Sequence, residues 1–173
     1  MPADTFLVLT VIGDDRPGLV GELATAIAAH KGNWLESSMS HLAGKFAGIV
    51  RVAVPGAQAE ALKAAFGQLA ALKVRAETAG GKSVAAGRRL KLALVGHDRI
   101  GIVREVSQVL ARHAVNVEKL ETHTASAPMS AETLFHAQAE LFAEGGLDAR
   151  ALKAELERLS DDLMVDITLD ETI

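Results

Sequence analysis

The stretch "VIGDDRPGLVGELATAIAAHKGNW", Val11 to Trp34, sets two aspartates, an arginine, a proline and a glycine between an apolar run and an amphipathic one. Leu19, Val20, Leu23, Ala24 and Ile27 follow the turn at spacings of three and four, which place one apolar stripe on a helix. The run before it, "TFLVLTVI" (Thr5 to Ile12), is β-branched and apolar on both faces and reads as a central buried strand. Strand, polar turn, helix is the local order. Gly13 is expected to end the strand and turn the chain sharply. Asp14 or Asp15 is expected to accept bonds from the helix N–H groups, and Pro17 to occupy the first helical turn.

The same arrangement recurs in "LVGHDRIGIVREVSQVLARHAVNV", Leu94 to Val117. Displaced by 83 residues, the 27 positions from Leu7 to Asn33 contain eleven identities, among them Gly13/Gly96, Asp15/Asp98, Arg16/Arg99, Gly18/Gly101 and Asn33/Asn116. Chance supplies roughly two or three. The chain is therefore a duplicated unit of about 80 residues, too few copies for a solenoid. Boundaries are expected at 1–79 and 88–173, joined by a small-residue linker at 80–87 within "AGGKSVAAG".

Each copy continues alike. "NWLESSMSHL" suits an edge strand, "AGK" a tight turn, and "FAGIVRVAVP" a strand that Pro55 ends. Leu62, Phe66 and Leu69 mark a second helix, and "KVRAET" a last strand. In the second copy the elements are "RLKLALV", Ile102 to Leu110, "VNVEKLETHT", "AETLFHAQAELF", the Leu152-Leu156-Leu159-Leu163 stripe and "MVDITL". The order β-α-β-β-α-β predicts an α+β fold: two units, each a four-stranded antiparallel sheet with two helices on one face. Units this small are marginal alone, so the two are expected to pack together.

Composition narrows the function classes. Of the 173 residues 49% are apolar, so a core of Leu, Val, Ile and Ala is available although aromatics are only 3%. The net charge of −4 provides no basic field for nucleic acid. Cysteine is absent, which removes disulfides and thiol nucleophiles. The N-terminal apolar run is too short for a membrane span and lacks the basic start of a signal peptide, so a cytoplasmic location is expected.

Catalytic chemistry finds little support. The six histidines (His30, His41, His97, His113, His123 and His136) form no HxxxH or HExxH pair, and no metal site or cofactor is expected. His30 and His113 fall near helix C-termini, where the dipole favours them. Ser37, Ser38 and Ser40 lack a nucleophile elbow and read as solvent-facing strand residues. The acidic "SDDLMVDITLDET" alternates like an ordinary strand, the basic trio Arg88, Arg89 and Lys91 is too short for a nucleic-acid footprint, and no P-loop or helix-turn-helix is present. No catalytic residue is assigned and no enzyme is expected.

The repeated turn is better suited to binding. Gly18 leaves backbone uncovered at a helix N-terminus, which favours a carboxylate, and Asn33 offers a donor and an acceptor. Capping alone explains an Asp-x-Pro-Gly start. It does not explain why the later Asn recurs at the same fifteen-residue spacing.

The pattern strand, "DRPG", helix, "GNW" or "VNV", strand resembles the ACT domain, a ferredoxin-like small-molecule sensing module. The whole chain, as two such units, resembles the glycine cleavage system transcriptional repressor family. Similar units begin some phosphoserine phosphatases and formyltetrahydrofolate deformylases, which continue into a catalytic domain; none is expected here. The resemblance implies an amino-acid ligand at an interface between two units, against the strand–helix turn of one. By position the contacts are Gly13, Asp15, Gly18 and Asn33, with Gly96, Asp98, Gly101 and Asn116 in the second copy. Two departures stand out. Family turns often carry Asn where Asp15 and Asp98 stand, and an Asp suits a ligand's ammonium better than its carboxylate. Ile100 replaces Pro17.

The implied function is non-enzymatic. The chain senses a small amino acid, glycine or serine foremost, and controls transcription by contact with a transcriptional activator protein. Direct nucleic-acid or membrane binding is not expected, and a homo-oligomer is. The alternatives are an amino-acid-binding regulatory subunit acting in trans on an enzyme, and a ligand-free dimerisation module.

Overall fold

The structure, a computed structural model, describes residues 3–80 and 85–172. It divides into two compact units, Met1–Ser83 and Val84–Ile173. Half of the linker expected at 80–87, residues 81–84, lies outside the described residues.

The first unit runs β1 (Asp4–Asp14), α1 (Leu19–Ala29), β2 (Asn33–Leu42), β3 (Lys45–Pro55), α2 (Gly56–Phe66) and β4 (Leu72–Ala79). The second runs β5 (Gly87–His97), α3 (Ile102–Arg112), β6 (Val115–Ser126), β7 (Thr133–Glu144), α4 (Ala149–Leu163) and β8 (Val165–Thr172). The sheets have the same strand order, β2-β3-β1-β4 and β6-β7-β5-β8, and every pairing is antiparallel. The duplication read in the sequence is thus a duplication of topology.

Strand alternation sorts each sheet into a core face and an open face. Leu7, Leu9 and Val11 on β1 and Val50 and Val52 on β3 are buried with Leu19, Leu23 and Ile27 of α1 and Leu62 and Phe66 of α2. The second core repeats this: Leu90, Leu92 and Leu94 pack with Ile102, Val106 and Leu110 of α3 and Leu152, Leu156 and Leu163 of α4. β1 is central, but apolar side chains on both faces do not bury both. Val8 is half-buried and Ile12 exposed on the open face, because both helices cover the other one.

Local chemistry explains most boundaries. Ala43 and Gly44 both have positive φ, which gives the β2–β3 hairpin the twist-matched two-residue turn. Pro55 ends β3 and stands at the cap position of α2. Leu69, expected on the second helix, lies beyond it: α2 stops at Phe66, and Leu69 packs against the core from the following turn. His30 and His113 are the C-cap residues of α1 and α3. Ser37, Ser38 and Ser40 are exposed. Among the described residues no helix is long and apolar enough to cross a membrane.

Candidate functional site

Between β1 and α1 the polar turn takes a form the sequence only partly reveals. Gly18 is the N-cap of α1 at φ 94°, the left-handed region that a side chain resists. Gly101 caps α3 in the same conformation at φ 99°. Neither cap receives a side-chain hydrogen bond. Contrast α4, whose N-cap Asp148 accepts a bond from the Ala151 N–H at 3.0 Å. The first backbone bond of α1 is Glu22 N–H to Gly18 O, and of α3 Glu105 N–H to Gly101 O, both 2.9 Å. Among the described residues, the N–H groups of Leu19, Val20 and Gly21, and of Ile102, Val103 and Arg104, therefore have no acceptor.

Three expectations about this turn are corrected. Asp14 and Asp15 do not cap the helix. The Asp14 carboxylate is bonded to Lys45 Nζ, which holds its pKa below the ordinary carboxylate range. Asp15 sits 3.6 Å from His41 Nδ1, and its backbone N–H bonds Gly44 O at 3.0 Å. Asp98 repeats that last bond, to Thr133 O at 2.9 Å. Pro17 lies one residue before the cap, outside the helix. Gly13 does not end its strand: it pairs with Phe46 on one side and Leu72 on the other. A methyl group there would strike the Ala71 carbonyl, and at Gly96 it would strike Val165. Both glycines thus have a packing reason independent of any ligand.

A fourth correction concerns the asparagines. Asn33, grouped with the turn as a ligand contact, stands at the other end of the sheet. Asn33 faces Ala53, which faces Phe6, whereas the turn begins beyond Gly13. Seven residues of strand separate those levels, roughly 20 Å or more. Asn116 likewise lies level with Arg89, while Gly101 follows His97. A helix that returns along its strand delivers the next strand to the strand's start. Asn33 is exposed, and Asn116 lines a broad cleft with Arg112, His113 and the Gly145–Asp148 loop.

At the first turn the structure holds a small cavity of about 140 Å³, lined by Asp15, Arg16, Gly18, Leu19, Val20, Gly21 and Phe46. Pockets for drug-sized ligands start near 300 Å³, so this one suits a small ligand. Arg16 donates to Glu22 Oε1 at 2.6 Å and to Pro17 O at 3.1 Å, which fixes its guanidinium beside the cap. Sequence reasoning passed over Arg16, Gly21 and Phe46. The signal for Phe46 was its place opposite Gly13, visible only once the register is known.

Residues 5–75 match the family model of the ACT domain. The first unit is an ACT domain. The second has the same strand order and the same glycine-capped turn, so the chain carries two tandem units of the ACT, ferredoxin-like fold. A solved structure of an unknown protein from Galdieria sulphuraria is 29% identical, with a TM-score of 0.86 over 99% of this chain and 100% of its own. A second, named as a candidate glycine cleavage system transcriptional repressor, is 18% identical, with a TM-score of 0.68 over 98% of each chain; that likeness is one of fold. Among curated proteins none matches.

Proposed function

We propose that this chain is a non-enzymatic regulatory protein. It senses a small amino acid, glycine or serine first, and acts on transcription through contact with an activator protein. One observation carries the reading: the first ACT turn presents three unpartnered helix N–H groups over a cavity too small for a large ligand. Such groups favour a carboxylate, and the Asp15 carboxylate on the same wall suits an ammonium. The fold shared with the candidate repressor supports a role in transcription. Because Asn33 is remote from Gly18 within its unit, an amino acid touching both a Gly18 and an Asn33 takes its Asn from another copy of the chain. The site set is then Gly18 and Asp15 with an Asn33 or Asn116, and Gly101 and Asp98 likewise; Gly13 and Gly96 hold the turns against the neighbouring strand.

The test is thermal melting of the full chain with each of the twenty amino acids at millimolar concentration. A ligand at a hundredfold excess over Kd stabilises the folded state by about 2.7 kcal/mol, a shift of several degrees. Glycine or serine is expected to give it. Unaltered melting with all twenty would reduce the turn to a structural helix start. Co-purification with a transcriptional regulator after nuclease treatment tests the second half of the proposal.

A further inference from the structure

On the open face of the second sheet, His123 of β6 and His136 of β7 are direct cross-strand partners. Their rings stack, with centroids 4.6 Å apart and planes within 1°. Strand spacing in a sheet is about 4.7–4.9 Å, so the geometry follows from two imidazoles standing side by side on neighbouring strands. The fold does not demand them: the corresponding cross-strand pair in the first sheet is Ser40 and Ala47. The core does not use them either, since His123 is exposed and His136 half-buried. The other four histidines have protein partners: His30 the Ala26 carbonyl, His41 Asp15, His97 Glu132 and His113 Glu155. His123 and His136 have each other.

Two carboxylates and one ammonium lie in their neighbourhood. Along the same row, Val95 faces His136 and Asp166 faces Val95. One row away, Glu121 lies two residues before His123 on β6, with Lys119 at 3.4 Å from its carboxylate. We propose that His123 and His136 form a two-imidazole site for a divalent transition metal of the nickel, copper and zinc group. Neutral imidazole suits these ions, and their metal–nitrogen bonds are about 2.0–2.1 Å. Stacked rings turn their faces, not their ring nitrogens, to each other, so joint ligation needs both imidazoles to rotate until one nitrogen of each lies about 3–4 Å from the other, a spacing that side chains paired directly across two strands can reach. Among the described residues no three His, Asp or Glu side chains are grouped to hold an ion, so the pair supplies two ligands and water the rest.

The probe is Ni²⁺ alone, titrated calorimetrically into the untagged full chain near pH 7.5. One ion per chain is expected. His123→Asn and His136→Asn should each weaken binding by about tenfold or more, as expected for loss of one of two ligands. Neither should move the metal-free melting temperature by more than about a degree, because both side chains lie on the open sheet face outside the core. His41→Asn, in the other unit, should bind as the parent does. No Ni²⁺ binding at millimolar concentration, or binding that survives either cross-strand substitution, would overturn the proposal.

Discussion

Gly18 and Gly13 show how two glycines of one turn do different work. Gly18 has positive φ and open space around its missing side chain; Gly13 has ordinary strand geometry and no space at all. Gly18→Ala is therefore expected to cost about 1–2 kcal/mol through left-handed strain, and to weaken ligand binding by changing the cap. Gly13→Ala should cost about 1–3 kcal/mol by overpacking against the Ala71 carbonyl. Chemical denaturation of both variants checks the two figures. Asn33→Ala separates binding from stability more cleanly. The residue is exposed at a strand start, so its unliganded melting temperature should stay within about a degree of the parent's. The shift with glycine or serine should disappear. A retained shift would remove Asn33 from the site.

At the scale of elements, α3 and α4 are joined by Glu155. Its carboxylate accepts from Arg112 Nε at 2.8 Å and lies 2.6 Å from His113 Nε2. The bond from Arg112, then the bond with His113, holds the Glu155 pKa below its ordinary value near 4.5. A carboxylate depressed on folding stabilises the fold above that ordinary value. The contribution is lost as pH falls through the lower, folded value. Glu155→Gln should accordingly melt below the parent at pH 7, and the gap should close as the pH is lowered past the ordinary carboxylate value near 4.5. A gap that persists undiminished in acid would assign the effect to packing instead. The edge strands give a second element-scale contrast. Trp34 on β2 packs against the first core, whereas its counterpart Val117 on β6 is part-exposed beside an apolar groove against α3.

For the whole molecule, each unit owns a separate core drawn from its own strands and helices. Fragments 1–83 and 84–173 are each expected to give dispersed amide spectra and a cooperative melt, although domains of this size are only marginally stable. Failure of one fragment alone would show that it depends on the other. The net charge of −4 leads to a further expectation. The chain by itself should give no sequence-specific gel shift at physiological salt.

The sequence by itself determined the duplication and the element order. The spacing of three to four in "LVGELATAI" states that a helix forms, "TFLVLTVI", apolar on both faces, states a strand without saying which face is covered, and the repeat states that it happens twice. It also singled out Gly18 and Gly101, because a glycine before an amphipathic stripe is legible locally. Tertiary structure decided the rest. Whether Asp14 or Asp15 caps a helix depends on where Lys45, which binds Asp14, and His41 and Gly44, which meet Asp15, stand, and those come from the next hairpin. Whether Gly13 turns or packs depends on β4, some sixty residues later. That Asn33 lies far from the turn follows from α1 returning along β1, a consequence of element order that shows only once the elements are packed. That His123 meets His136 is a matter of strand register, which long-range hydrogen-bond pairing sets and no local run of residues encodes.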